Sequence, residues 1–451
     1  MRNTIIAVIV AIGFFSWRVE CAQASSPPRS GEAPQEHGLE RPVYSGEPLT
    51  LQHAIDAALQ GNPDLIALRK QFESARHRPD QERFLKAPAF EAQIWQWPVN
   101  TVNPLNTNMY MFMVDQDVPG SGKRQLRAAA AEKAVALTEN EVVRRARQIV
   151  NEVKRTYADL FVARKAIQIH LDSVELLRQF ADTSQVKYTA GRNSQQDVLK
   201  AIVEISKLHD GVIALEQQEQ LAAAGLNALF GRAPDTPIGP LFDPGGRVLR
   251  PSVGELERLA LTGQPELAGA QLEIERVQAD LAVARRDYKP DFSVQGGYML
   301  TPHQTDGWMG RIAITWPNAP WARGTLDARI AELESSLEAA KARRQAVENG
   351  VRLAVQNAYI KVKTAERRAS LLRTTILPQS EHALDVTRVA YEADRADLLG
   401  PIDSERMLLD ISLDYFRALS DWVQAAAELE RAVGTDLTPE MTVPVTIQEV
   451  K

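Results

Sequence analysis

The chain has 451 residues, a formal net charge of -6 and a pI near 5.8, with 24% charged and only 6% aromatic residues. An acidic balance of this kind excludes a nucleic-acid surface, which needs a basic face. The length suggests several globular domains, but the helical segments below are too long for separate globules, so the sequence predicts one elongated body.

Arg2, an apolar run from Thr4 to Trp17, and Ala22-Gln23-Ala24 before Ser25 read as an export signal over residues 1–24. Lipid attachment at Cys21, the only cysteine, is the alternative, although Arg18, Val19 and Glu20 are a poor approach to it. Cleavage after Ala24 leaves no cysteine, hence no disulfide and no thiolate metal site. Residues 25–48, rich in Ser, Pro, Gly and Glu, read as a flexible lead-in.

A first repeat is predicted over residues 49–240. It opens with a short helix, LTLQHAIDAAL, broken at Gly61-Asn62-Pro63 and restarted by Pro63 in the first turn of a longer one. Two period-two segments follow at 90–97 and 109–117, and period two means strands. From Arg124 to Ala190 no proline or glycine interrupts a run of good helix formers. One helix of roughly 100 Å is predicted there, at the usual rise per residue. Along it Ile149, Val153, Thr156, Leu160, Ala163, Ile167, His170 and Val174 alternate steps of four and three. That 3.5-residue period imposes left-handed supercoiling against neighbouring helices.

The same seam returns as Val351, Val355, Ala358, Val362, Ala365, Ala369, Leu372 and Ile376, one sign of an internal duplication. Gly263-Gln264-Pro265-Glu266-Leu267 stands 202 residues after Gly61-Asn62-Pro63-Asp64-Leu65. Tyr157 matches Tyr359, Tyr188 matches Tyr391, and Gly231 matches Gly434. The second repeat is assigned to 252–435, leaving 436–451 as a tail. Its strands are predicted at 292–299 and 308–316.

Alternation sorts the strand residues onto two faces. Tyr110, Phe112, Val114, Phe292, Val294, Trp308, Ile312 and Ile314 form an apolar row. Met109, Met111, Met113, Asp115, Gln295 and Arg311 form the opposite one. Length, an apolar outer row and terminal aromatics match transmembrane barrel strands, which would set the first row against lipid and the second in a lumen. An ordinary antiparallel sheet packed on helices is the soluble alternative. Open edges are not tolerated in lipid, so a barrel built on four strands has to be shared between chains.

Export signal, broken helix, hairpin, Val118-Pro119-Gly120-Ser121-Gly122-Lys123-Arg124 opening a very long helix, Tyr188-Thr189-Ala190-Gly191-Arg192 before Asp197-Val198-Leu199, and then the whole series again: this order resembles the TolC family of outer membrane efflux channels, with the heavy-metal subgroup of CusC and CzcC nearest. The resemblance spans about 49–435. It implies a mainly α fold with a small β part: long antiparallel helices forming a trimeric α-barrel, and four strands per chain in a shared 12-stranded β-barrel. It implies a homotrimer in the outer membrane of a Gram-negative bacterium, with a periplasmic tunnel, working with a periplasmic adaptor and an inner-membrane pump and passing heavy-metal cations. A multidrug or type I secretion channel remains the alternative within the family, and an exported trimeric coiled-coil scaffold or adaptor the alternative outside it.

The resemblance also places a gate at the periplasmic tip, at Asp197, Tyr391, Arg395, Asp397 and Asp403, with Gly400 standing where a further Asp is common. Ordinary solvated turn residues are the competing reading of the same positions. In a trimer Met109, Met111 and Met113 would form three thioether rings, which either fill a narrow passage or favour soft ions such as Cu(I). No enzyme, metal site or cofactor is expected. Gly120 to Arg124 departs from a phosphate loop, since Asp117 replaces its first glycine. His37, His53, His77, His170, His209, His303 and His382 have no ligand spacing.

Overall fold

The computed structural model describes residues 41–95, 99–100, 102–103, 107–191, 194–245, 247–302, 304–437 and 442–444. The predicted signal at 1–24 with Cys21, the lead-in as far as Glu40, His37, Trp97, Arg192, His303 and the end of the tail lie outside the described residues.

The first repeat runs α1 (Leu51–Gly61), α2 (Pro63–Ala75), α3 (Arg78–Arg83), β1 (Ala89–Trp95), β2 (Met109–Val118), α4 (Lys123–Thr189) and α5 (Gln195–Leu229). After β3 (Arg247–Leu249) the series returns as α6 (Val253–Gly263), α7 (Pro265–Arg286), β4 (Asp291–Leu300), β5 (Gly307–Thr315), α8 (Arg323–Leu371), α9 (Leu377–Glu392) and α10 (Leu399–Val433). β6 (Thr442–Pro444) pairs antiparallel with β3. Asn62 caps α2, its side chain accepting from the Leu65 backbone N–H, and Gln264 does the same for α7.

The predicted long helix is the 67-residue α4, shifted by one residue at each end. Its counterpart is not continuous. α8 passes into a π-helical turn at Leu372–Ile376, and α9 restarts with Pro378 in its first turn. Proline has no N–H to give the preceding turn, so the ladder there widens by a residue.

In side-by-side order the helices run α5, α4, α10 and α8 with α9, each packed on the next, while α7 lies against both α4 and α8. The predicted seams are largely buried, with Thr156, Ala369 and Ile376 half-buried. Ile149, Val153 and Leu160 join Leu65 and Leu226 in one core, and Val351, Val355 and Val362 join Leu256 and Leu429 in its twin. The duplication is visible in backbone contact as well. Gly231 and Gly434 end α5 and α10 with φ of 70° and 81°. A Cβ at Gly231 would lie 2.5 Å from the Gly61 carbonyl oxygen, and one at Gly434 would lie 2.6 Å from that of Gly263. Each helix-break motif therefore docks on the end of its own repeat, in a conformation and at a distance that favour glycine.

Tyr157, on α4, is fully buried and sends its hydroxyl between the carbonyl oxygens of Leu49 (2.8 Å) and Phe242 (2.7 Å), tying the start of the first repeat to the inter-repeat segment. Burial pushes its phenol up to about 12, so it remains a donor at any physiological pH. Leu49 O also accepts from the Phe242 N–H, whereas Phe242 O depends on the phenol. Tyr157→Phe should therefore cost about 1–2 kcal/mol, the usual effect of orphaning one buried acceptor. A lower thermal midpoint of the detergent-solubilised protein would report it, and an unchanged midpoint would contradict it.

Candidate functional site

Two regions concentrate unusual surface: the sheet and the far ends of the long helices. The sheet order is β1-β2-β4-β5, all antiparallel, so the second strand of the first hairpin meets the first strand of the second, and β1 and β5 are open edges. All four strands lie where predicted, within a residue or two at each end.

Register separates the two faces. On one stand Phe90, Phe112, Val114, Phe292, Val294, Trp308, Ile312 and Ile314, all exposed, Trp308 to 83% and Ile312 to 73%. Tyr110, on the same face, is half-buried. A soluble sheet would bury such a row, and this one covers nothing. The other face carries Met109, Asp115 and Arg311, with Met111 and Met113 buried to 7% and 4% exposure and Gln295 buried beside them. Asp115 pairs in register with Gln295, and Gln295 with Arg311. No described helix is long and apolar enough to cross a membrane.

The sheet is bolted to the helices by a buried lysine. Lys123, at the start of α4, lies 2.9 Å from the Asp291 carboxylate, and the Gly120 N–H donates to the same carboxylate at 2.7 Å. This joins the β2–α4 turn of one repeat to the first strand of the other.

At the opposite end, the residues expected to form a gate are separated. Tyr391 is 1% exposed, and Arg395, Asp397 and Asp403 are exposed, while Asp197 is half-buried in the first turn of α5. Among the described residues Arg395 and Asp197 do not meet; Arg395 is held through its backbone N–H, which donates to Ala390 O. The ties between the repeats run through other side chains. Lys187, in the last turn of α4, pairs with Asp394 at 2.6 Å, donates to the Tyr391 carbonyl at 2.5 Å, and lies 4.2 Å from the centre of the Tyr391 ring. Further from the tip, Arg406 on α10 donates through Nε to Glu204 on α5 at 2.8 Å and through its NH2 group to the second Glu204 oxygen, while it also holds Asp403 at 3.1 Å. Hydrogen bonding from Arg406 holds the Glu204 carboxyl below its ordinary range despite burial, with Lys207 assisting. One residue on from Asp403, Ser404 accepts from Thr387; next to it Glu405 is buried with one oxygen unpartnered, and burial pushes its carboxyl up.

Lys187, Glu204 and Arg406 were not anticipated. A usable signal existed for one pair: Glu204 and Arg406 stand 202 residues apart, nearly the repeat spacing, so opposite charges fall at almost matching positions of the two halves. No group of three or more His, Cys, Asp or Glu among the described residues is arranged to hold a metal.

Comparison with known proteins bears on the whole frame. The pattern of the outer membrane efflux protein family matches residues 54–232 and again 256–435. The cobalt-zinc-cadmium resistance protein CzcC of Cupriavidus metallidurans is 24% identical over 397 residues, covering 87% of this chain and 92% of that protein. The open-state outer membrane channel MtrE of Neisseria gonorrhoeae superposes with a TM-score of 0.72 at 18% identity, over 86% of this chain and 89% of its own. CusC, solved in a study of transmembrane channel formation, gives a TM-score of 0.72 at 16% identity, over 85% and 92%. With the family pattern found once in each repeat and the sheet and helices arranged as in those channels, this chain belongs to the outer membrane efflux protein family.

Proposed function

We propose that three copies of this outer membrane efflux channel close a ring and act as the exit duct of a tripartite pump for heavy-metal cations. The observation that carries the reading is the sheet: an exposed apolar face combined with two open edges, β1 and β5. Edge groups left unpaired in hydrocarbon cost several kcal/mol each, so the edges must pair between copies. Pairing β5 of one chain with β1 of the next is a head-to-tail contact, which closes into a ring when the rotation allows. Eight strands would leave an interior filled by side chains, whereas twelve leave a passage.

The helices repeat this arrangement. α5 and the α8–α9 unit are the outermost members of the side-by-side order, and both show unpartnered apolar side chains: Leu199, Ile202 and Ile213 on α5, Leu353, Ile360 and Val386 on the other. Contact between these flanks in adjacent copies would close a helical tunnel coaxial with the barrel. Lys187–Asp394 and Glu204–Arg406 then take the role expected of Asp197, Tyr391, Arg395 and Asp397, holding inner helices together at the tip, where an adaptor and an inner-membrane pump would engage. Asp403, held by Arg406, would lend the constriction negative charge. Cation cargo rests on that charge and on the likeness to CzcC.

Extraction of outer membranes tests the reading. A species of trimer mass that resists detergent at room temperature and falls to the monomer on boiling is expected, together with conducting channels in planar bilayers. A soluble monomer would overturn it.

A further inference from the structure

We propose that the inner face of the sheet carries a thioether site for a soft monovalent cation, Cu(I) or Ag(I), built from Met113, Met299 and Met309. The chain has eight methionines. Five of them lie on this one face: Met109, Met111 and Met113 on β2, Met299 on β4 and Met309 on β5. The opposite, exposed face has none among its strand residues.

Register brings three of the five together across two glycines. Met113 pairs with Gly297, and Gly297 pairs with Met309, so these three form one rung across β2, β4 and β5. The neighbouring rung is Met111, Met299 and Gly307. A Cβ on Gly297 would stand 2.7 Å from Met113 Cγ, so the Met113 side chain lies over Gly297 on the way to Met309. A Cβ on Gly307 would stand 3.2 Å from the Met299 terminal methyl, so Met299 reaches across to β5, two residues from Met309 on the same face. Both glycines clear floor space that a side chain would occupy, and the thioethers of Met113 and Met299 lean into it from different strands.

The chemistry of such a patch is selective. Thioether sulfur is neutral and polarisable and favours Cu(I), whereas oxygen-preferring ions need carboxylates or carbonyls. On the rung of Met113 the only carboxylate is Glu91, on β1, the side away from Met309. The next rung toward the helices carries Asp115 and Arg311, whose opposite charges offset each other. A cation in the passage would therefore meet soft ligands without a strong fixed charge, which suits brief residence. This inference rests on the reading of the sheet as a channel wall, since it requires the methionine face to look into the lumen, and it narrows the cargo to soft ions.

The full-length protein in detergent, titrated with silver nitrate, tests it. Wild type should bind one Ag(I) per chain with sulfur scatterers in its Ag-edge X-ray absorption spectrum. The triple variant Met113→Leu, Met299→Leu, Met309→Leu should lose affinity by about tenfold or more, since loss of an outer-shell partner alone costs a metal site about 10- to 100-fold. Met407→Leu, on the exposed surface of α10, should leave binding unchanged. Should the triple variant fail to fold, Met309→Leu alone should still lower the affinity. Metal-free conductance in potassium nitrate is measured in parallel and should be the same for wild type and variants. Equal Ag(I) affinity in wild type and leucine variants, or nitrogen and oxygen scatterers alone in the wild type, overturns the site while intact conductance leaves the channel reading standing. Absence of conductance in the wild type overturns the channel reading, and the sulfur signal from the folded protein still decides the site.

Discussion

Arginine at Ile312 should leave almost no detergent-resistant trimer in the outer membrane, whereas arginine at the adjacent Ala313 should leave its amount near wild type. Ile312 is 73% exposed on the apolar face of β5, and Ala313 points to the opposite face, opposite Ser293. A charged side chain at a mid-barrel lipid-facing position costs roughly 2–4 kcal/mol per chain, and three copies pay it together. Position 313 presents the same charge to water. Quantifying unheated trimer against boiled monomer in isolated outer membranes decides the matter, and similar losses at both positions would mean that the two faces have been assigned wrongly.

Cutting the tie between α5 and α10 should open the channel. Arg406→Gln removes both bonds to Glu204, which is buried and keeps, among the described residues, Lys207 as its partner. Hydrogen bonds to charged groups contribute about 1.5–3 kcal/mol, and the partial exposure of Arg406 favours the lower end. A shift of that size changes the ratio of open to closed forms by roughly 10- to 100-fold per chain. Single-channel conductance should rise accordingly, and the charge exchange Glu204→Arg with Arg406→Glu should restore the low value. Acid should imitate the mutation. Because the Glu204 carboxyl is held below its ordinary range, the tie persists above that range and is lost as pH falls through the depressed value. Conductance should thus be flat from neutral to mildly acidic pH and rise only in stronger acid. A variant that conducts like wild type at every pH would remove this tie from the gate.

Much of the frame was legible because periodicity reports burial directly. The seam from Ile149 to Val174 has a 3.5-residue repeat because most of those side chains are buried in the packed helices, and alternation in MYMFMVDQD exists because the two faces of β2 meet different surroundings. The ties at the tip were not legible on the same grounds. Lys187 and Asp394 are both residues that normally stand in water, and nothing in their local pattern marks the one as the other's partner 207 positions away. Likewise nothing in the local pattern sets Met299 and Met309 beside Met113; only the β2–β4 and β4–β5 pairings do. Pro378 marks a break in the second long helix that the apolar seam, running on through Ile376, hides, because a π turn keeps the helix going while shifting its phase.

That uninterrupted first helix and its jointed counterpart amount to two levers of unequal stiffness. Lys187 lies about 45 Å along α4 beyond Tyr157, so a tilt of about 3° about that point would sweep it through about 2 Å, enough to part it from Asp394. Tyr391 lies only about 28 Å beyond the π turn, so the same sweep asks of the jointed arm a rotation of roughly 5°. A partner gripping the tip would therefore work at the end of the longer arm against bonds that individually resist weakly, through a rod with no weak turn in it. The joint would let one arm fold aside while the other stays straight.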